Sequence, residues 1–485
     1  MVEYNQKSVK GLLKKLRSAL EDLSACESIN LDHAYELTAR KVRLPLADIP
    51  LQLMLGRPPQ VLQLAPEPRF RADGTTRASG DYLIFDPKHY FDEIAGFIRL
   101  HPGETLDLGG NDPEAQALLG LARRMSRNHL RIRRKTDGLL FKRLDTDART
   151  CLAPLVGKRY HGQLSAWRRR HLERLAGILP GPIGPLKKGP ALQLIEQVVD
   201  LLDHEPLRPT DADGHPGGIV ELPAKIVPIV VGDLHAQVDN LLVVLTQNGF
   251  LDGLIAGRAA LVLLGDAVHP EEDGHLDEME TSMAMMDLIF RLKVHFPERI
   301  FYLRGNHDTF SDENAKQGVP QGLLWRQHLR KQRGPAYVEA MERVYERLPY
   351  LVVSTDFLAC HAGAPTRKTN REALVNIRRH PKLRHELTHN RLQRPNRPAG
   401  YSNRDIKRLR ERLGLSADAP FIVGHTPLGG DESVWAEPGG VSNHFVVYSG
   451  GAGQIGVMTR VNGRMVPLRY LSEPLVKVFN RYVAG

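Results

Sequence analysis

Five apolar runs in the carboxyl half of the chain end in side chains able to ligate a metal. They are Val230-Val231-Gly232-Asp233-Leu234-His235, Leu264-Gly265-Asp266, Arg304-Gly305-Asn306-His307-Asp308, Ala359-Cys360-His361-Ala362-Gly363 and Val423-Gly424-His425-Thr426-Pro427. Carboxylate and imidazole in this proportion suit Mn, Fe or Zn, whereas an oxygen-only set would suit Mg or Ca and a thiolate set structural Zn. Six candidate ligands, Asp233, His235, Asp266, Asn306, His361 and His425, are too many for one catalytic ion that must keep an open position. Two divalent or trivalent transition-metal ions are therefore expected, Mn and/or Fe ahead of Zn, with Asp266 able to bridge them. Such a pair, ~3.5–4 Å apart, activates water and stabilises the entering and leaving oxygens of a phosphoryl transfer. Any one of these histidines alone would read as structural; the succession of five does not. Cys360 closes the apolar run Phe357-Leu358-Ala359-Cys360 and reads as a small buried residue rather than a nucleophile.

Positioning these side chains in one crevice requires strands whose carboxyl ends lie together, as in an open α/β sheet. The runs KIVPIVV, AALVLLG and RIFYLR alternate with helical patterns that begin near Asn240 and Met279, which predicts βαβαβ. FIVG, HFVVYS and QIGVMTR follow with turn-like gaps, and predict a mostly antiparallel sheet at the carboxyl end. The expected fold is α/β, a two-sheet β-sandwich flanked by helices, preceded by a separate N-terminal α+β region. Boundaries are placed at 1–205 for that region, 206–222 for a Pro/Gly/Asp-rich linker, 223–475 for the metal-binding domain and 476–485 for a tail. The N-terminal region offers an amphipathic start, a Pro-rich patch at Arg57–Pro68, a strand in DYLIFD and a basic stretch read as helical. Trp167, beside Arg168, Arg169 and Arg170, is expected to pack a helix edge rather than to stack on a ligand.

At 485 residues the chain exceeds what one core organises, and 42% hydrophobic with 25% charged residues excludes a disordered or fibrous protein. Three distant cysteines, Cys26, Cys151 and Cys360, cannot staple it, which points to a reducing compartment. With neither a signal-peptide pattern nor the ~18 consecutive apolar residues of a membrane span, a cytoplasmic location is expected. The net charge of +10 is uneven: residues 123–174 hold 16 Lys or Arg against four acids, and residues 367–412 hold 15 against four. Both stretches are either solvated faces or sites for anionic partners.

In order and spacing, GDLHAQVDNLL, GDAVH, LRGNHD, CHAGAP and GHTP resemble the calcineurin-like metallophosphoesterases, and among them most closely the phosphoprotein (Ser/Thr) phosphatase family. The resemblance covers roughly Pro223–Gly463. It implies a four-layer α/β/β/α fold, a first metal on Asp233, His235 and Asp266, and a second on Asp266, Asn306, His361 and His425. It also implies attack on phosphorus by a hydroxide held at the metals, with His307 as general acid to the leaving oxygen. The sequence departs from the family where a carboxylate supporting that His and an Arg binding phosphate would stand, since GDAVHPEEDG has His269 and Pro270 there. Asp308, Glu271 or Asp273 is the candidate replacement for the carboxylate, and Arg404, in the second basic stretch, for the arginine.

A phosphorylated substrate, either phosphoprotein or nucleotide, is thus expected. HAGAP and GNHD are also similar to symmetrical diadenosine tetraphosphatases, which makes a dinucleoside polyphosphate or another nucleotide the alternative substrate. From other classes, a metal-binding scaffold with a decayed site and a nuclease recruited by the 123–174 segment stand as rivals, the latter marked by steeply salt-dependent binding.

Overall fold

The computed structural model describes the chain apart from residues 1–25, 30, 46–48, 123–124, 158–159, 161, 272–274, 312–314, 396–397, 431 and 485. It divides into two units, one drawn from the chain up to Arg69 and from Arg77–Ala166, the other from Phe70–Thr76 and from Trp167 onward.

The described residues of the first unit are mostly strands; the two long helices of the expected α+β span 1–205, Gln163–Ile178 and Lys188–Asp203, fall mostly or wholly in the second unit. One sheet contains Lys41–Pro45, Gly138–Arg143, Leu130–Lys135 and Thr105–Leu108; the other contains Thr150–Pro154, Leu51–Leu55, Gln60–Phe70, Thr76–Phe85 and Phe97–Leu100. The strand expected in DYLIFD is the second half of Thr76–Phe85. Of the basic stretch read as helical, Leu130–Lys135 and Gly138–Arg143 form a hairpin turning at Thr136-Asp137, while its end, with Arg168, Arg169, Arg170 and Arg174, lies in the helix Gln163–Ile178. Leu130, Ile132 and Arg134 are buried and their neighbours are not, which is the period of a strand. Arg134 occupies an interior position because its guanidinium hydrogen-bonds the carbonyls of Gly80 and Lys135. Other cations of this stretch are held in ion pairs, Arg131 with Asp107 and Arg149 with Glu36. The amphipathic start lies outside the described residues.

In the second unit the βαβαβ expectation is realised. Val227–Val231, Ala259–Leu263 and Ile300–Tyr302 pair in parallel, and Gln454–Val461 and Arg464–Leu471 complete the sheet on the antiparallel side. Ala259–Leu263 is buried at every position, as a parallel strand covered on both faces must be. The second sheet runs Ile219–Glu221, Leu351–Val353, Leu358–Cys360, Phe421–Val423, His444–Val447, Val434–Ala436. It is mixed rather than mostly antiparallel, because Phe421–Val423 lies parallel to both its neighbours. The helices between Cys360 and Phe421 supply the long crossover that one of these parallel pairs needs. Val230, Val262 and Phe301 of the first sheet share a core with Val220, Val352, Ala359, Ile422 and Val447 of the second. The second sheet's outer face packs Leu358, Phe421 and Val446 against Leu374, Leu383, Leu387, Ile406 and Leu409 from three helices.

Two boundaries differ from expectation. The expected linker is part of this unit: Ile219–Glu221 is an edge strand on Leu351–Val353. Ahead of it, buried Arg208 donates to the carbonyls of Gly217, Pro216 and Arg347. A Cβ at Gly218 would lie 2.4 Å from Ile377 Cγ2, so glycine serves close packing there rather than flexibility. The Lys188–Asp203 helix, assigned to the N-terminal region, buries Ala191, Ile195, Val198, Val199 and Leu202 against the Glu280–His295 and Pro335–Arg347 helices. The expected tail forms the helix Leu475–Ala484, docked by Leu475, Val478 and Phe479 and by the Val476 amide on Asp239. Trp167 is buried in the Gln163–Ile178 helix, as anticipated. Among the described residues no helix is long and apolar enough to cross a membrane.

Candidate active site

Each expected ligand stands just beyond a strand's carboxyl end, where the turn projects it across the two sheets. Three of them, His235 (φ 43°), Asp266 (φ 49°) and His425 (φ 63°), adopt left-handed backbone conformations. Such conformations cost about 1–3 kcal/mol each and cluster at functional sites. The adjacent glycines allow backbone and carboxylate to meet: a Cβ at Gly305 would lie 2.1 Å from Asp266 Oδ1, and one at Gly424 2.1 Å from Asp233 Oδ1.

The result is two sets of converging ligand atoms with one residue in common, Asp233 with His235 and Asp266, and Asp266 with His361 and His425. His361 Nε2 is 3.3 Å from Asp266 Oδ2, 2.9 Å from Asn306 Oδ1 and 3.2 Å from His425 Nδ1. His235 Nε2 lies 3.9 Å from Asp233 Oδ2. Both His235 and His361 give their Nδ1 proton to a backbone carbonyl, of His269 and Leu264 respectively, at 3.0 Å, which leaves Nε2 facing the cluster as the nitrogen an ion would take. That tautomer is the one a metal-binding imidazole needs. Asp233 Oδ2 and Asp266 Oδ1 accept the backbone amides of His425 and His307. Asp233 Oδ1 and His425 Nε2 are buried without a hydrogen-bond partner, which suits an ion better than a protein donor. Against the cost of burial, His361 keeps Asp266 well below the usual carboxylate range, while Asp266 and Asp233 raise His361 to about 9. Burial pushes the Asp233 carboxyl up to about 7 and the His425 imidazole well down.

His307 lines the same cavity, its ring 5.4 Å from that of His235. Its Nδ1 is buried and unpartnered. None of the described replacements for the family's supporting carboxylate reaches it. Asp308 holds the Tyr302 hydroxyl and the amides of Gly305 and Asp266; Glu271 holds Lys316 and the Tyr448 hydroxyl; Asp273 lies outside the described residues. The neighbour is His269, 5.6 Å away ring to ring, fully buried with both nitrogens unpartnered and pushed down to about 3 chiefly by burial.

Arg404 is not brought to the site: it is exposed on the Asn403–Arg412 helix and does not line the cavity. The basic side chains that do are Arg304, Lys316, Arg384 and Arg391. Arg384 and Arg391 belong to the same basic stretch, so the sequence pointed to the segment but not to the residue. Cys360 is buried, its thiol pushed up to about 12 by burial, as expected of a packed and unreactive cysteine.

Residues 228–449 match the family described as Calcineurin-like phosphoesterase. Among curated proteins, the chain is 28% identical over 142 residues to the mouse serine/threonine-protein phosphatase with EF-hands 1, spanning 29% of this chain and 19% of that one. It is 31% identical over 135 residues to the Drosophila melanogaster serine/threonine-protein phosphatase rdgC, spanning 28% and 18%. The matched part is thus under a fifth of the length of these relatives. Among solved structures, a Saccharomyces cerevisiae protein serine/threonine phosphatase with similarity to human phosphatase PP5 aligns over 59% of this chain and 90% of its own, at 18% identity and a TM-score of 0.43.

Proposed function

We propose that the protein is a dinuclear metal-dependent phosphoester hydrolase acting on phosphomonoesters in the manner of the phosphoprotein phosphatases. The observation that carries this reading is the pair of ligand sets sharing Asp266. Asp233, His235 and Asp266 would hold one ion and Asp266, Asn306, His361 and His425 the other, with Mn or Fe preferred by the mixed imidazole–carboxylate donors. When bound, the ions supply Lewis acidity toward the phosphoryl group and toward water. The chain's own residues do the rest. His307, fixed by its amide on Asp266, gives a proton to the departing oxygen. Arg384 and Arg391 stand in the cavity that lacks the family's arginine at Pro270.

The relatives' names favour a phosphoprotein substrate, with a nucleotide as the second reading. Turnover of p-nitrophenyl phosphate by the Mn-loaded protein, with about two ions per chain by elemental analysis, is the expected result. Asp266→Asn should lower both occupancies together. Loss of one ion with the other fully retained would contradict the sharing, and two bound ions without turnover would leave a scaffold.

A further inference from the structure

The Pro381–His389 helix is amphipathic in an unusual sense. Leu383 and Leu387 anchor it in the outer core, while Arg384, His385, Thr388 and His389 line the cavity that holds the candidate ligands. That cavity measures about 530 Å³, within the range of small-molecule sites and well beyond one phosphoryl group.

The charges around it are unevenly balanced. Among the other lining residues, Lys316 is neutralised by Glu271, and Arg304 stacks on the Tyr345 ring at 5.0 Å within the field of Asp308. The lining carboxylates, Asp266 and Glu271, are thus engaged. Arg384 forms no ion pair among the described residues, and its neighbour Glu386 is turned away to bond Thr366. Beside it His385 and His389 stack with centroids 4.3 Å apart and rings 17° from parallel, a flat imidazole pair in which His389 Nδ1 meets the Thr388 hydroxyl at 2.7 Å. Arg304 and Arg391 line the same cavity and are at hand for a single scissile phosphate, so a further guanidinium beside two imidazoles exceeds its needs.

We infer that the Arg384–His385–His389 wall is a second anion subsite, so that the substrate carries, besides the phosphoryl group cleaved at the metal ligands, a further phosphate or carboxylate that pairs with Arg384. This rests on the phosphoesterase reading above. The planar guanidinium engages either oxyanion through two parallel hydrogen bonds. The second anion is either the next phosphoryl group of a polyphosphate or an acidic side chain beside a phosphorylated residue.

The test uses the full chain loaded with Mn at fixed free metal concentration. One arm compares competitive inhibition of p-nitrophenyl phosphate turnover by methylenediphosphonate and by methylphosphonate. The other compares KM and kcat for phosphoserine peptides carrying Asp or Asn next to the phosphoserine. The wild type should prefer the second-anion member about tenfold or more in one arm, in Ki or KM rather than kcat, and the arm that shows it identifies the source. Arg384→Gln should bring that ratio near one and Arg384→Lys should keep part of it. Because each ratio is taken within one preparation, partial misfolding cancels. Ratios near one in both arms for the wild type, or an undiminished ratio in Arg384→Gln, overturn the subsite alone. No turnover of any substrate by the wild type overturns both readings.

Discussion

Replacing Gly424 by alanine is the sharpest structural test of the site, because the consequence follows from one distance. The added Cβ would sit 2.1 Å from Asp233 Oδ1, whereas real Cβ contacts essentially never fall below 3.0 Å, so the carboxylate must retreat by roughly 0.9 Å. It cannot retreat freely, since Asp233 Oδ2 accepts the His425 amide at 2.8 Å and the Gly424 amide is itself bound to the His361 carbonyl. A metal site tolerates ligand displacements of about 0.2 Å, so the shift should empty the position that Asp233 helps to form and loosen the one shared with His425. The overpacking itself should cost about 1–3 kcal/mol. Elemental analysis should show metal falling from about two ions per chain to one or none, with turnover down by about two orders of magnitude or more. Gly189→Ala serves as control, because a Cβ there meets nothing within 4 Å. A Gly424→Ala protein with full metal content and normal turnover would refute the claim that glycine is required here by the approach of Asp233.

His307→Ala should bind metal almost normally yet lose about 10²–10⁴ in rate on a substrate with a poor leaving group, and less on p-nitrophenyl phosphate; equal losses on both would remove its role as acid. His444 is buried, donates Nδ1–H to the Phe421 carbonyl, accepts the Tyr401 hydroxyl on Nε2, and is pushed down to about 4 mainly by burial. The unfolded chain therefore takes up this proton first, and stability falls by about 3 kcal/mol between pH 6.5 and 4; urea midpoints across that window should drop less steeply for His444→Gln. A chain starting at Pro223 keeps every candidate ligand but loses the Ile219–Glu221 strand and the Lys188–Asp203 helix, uncovering surfaces on which Ile195, Val198 and Val199 are buried. At about 1.5–3 kcal/mol per buried aliphatic side chain, it should be insoluble on expression, and a soluble, metal-binding product would contradict that packing.

The converging candidate ligands were legible because chemistry restricts residue type and close backbone approach demands glycine beside it, so Gly232-Asp233, Gly265-Asp266 and Gly424-His425 carry two constraints in two letters. The parallel strands were legible from β-branched runs such as Val227–Val231. What misled was composition. Gly217 and Gly218 read as a linker, although glycine equally marks tight packing against Val375 and Ile377. The alternation in Leu130–Lys135 was masked because an arginine, Arg134, fills an interior position. Arg404 was misplaced because which arginine of a basic stretch faces a cavity depends on how the Pro381–His389 and Asn403–Arg412 helices pack, and no local pattern encodes that.

The first sheet also sets when the site can come into being. Val227–Val231, the strand that delivers Asp233, is sealed on one side by Gln454–Val461, with Ile229 opposite Thr459. A ribosome adding about 5–20 residues per second needs roughly 10–45 s to travel between those two partners. Throughout that interval the emerging chain displays an unsatisfied sheet edge, and until His425 has been added it also lacks part of the candidate ligand set. Nascent chains that stop before the Gln454–Val461 strand would therefore be sticky, and those that stop before His425 would lack a candidate ligand as well.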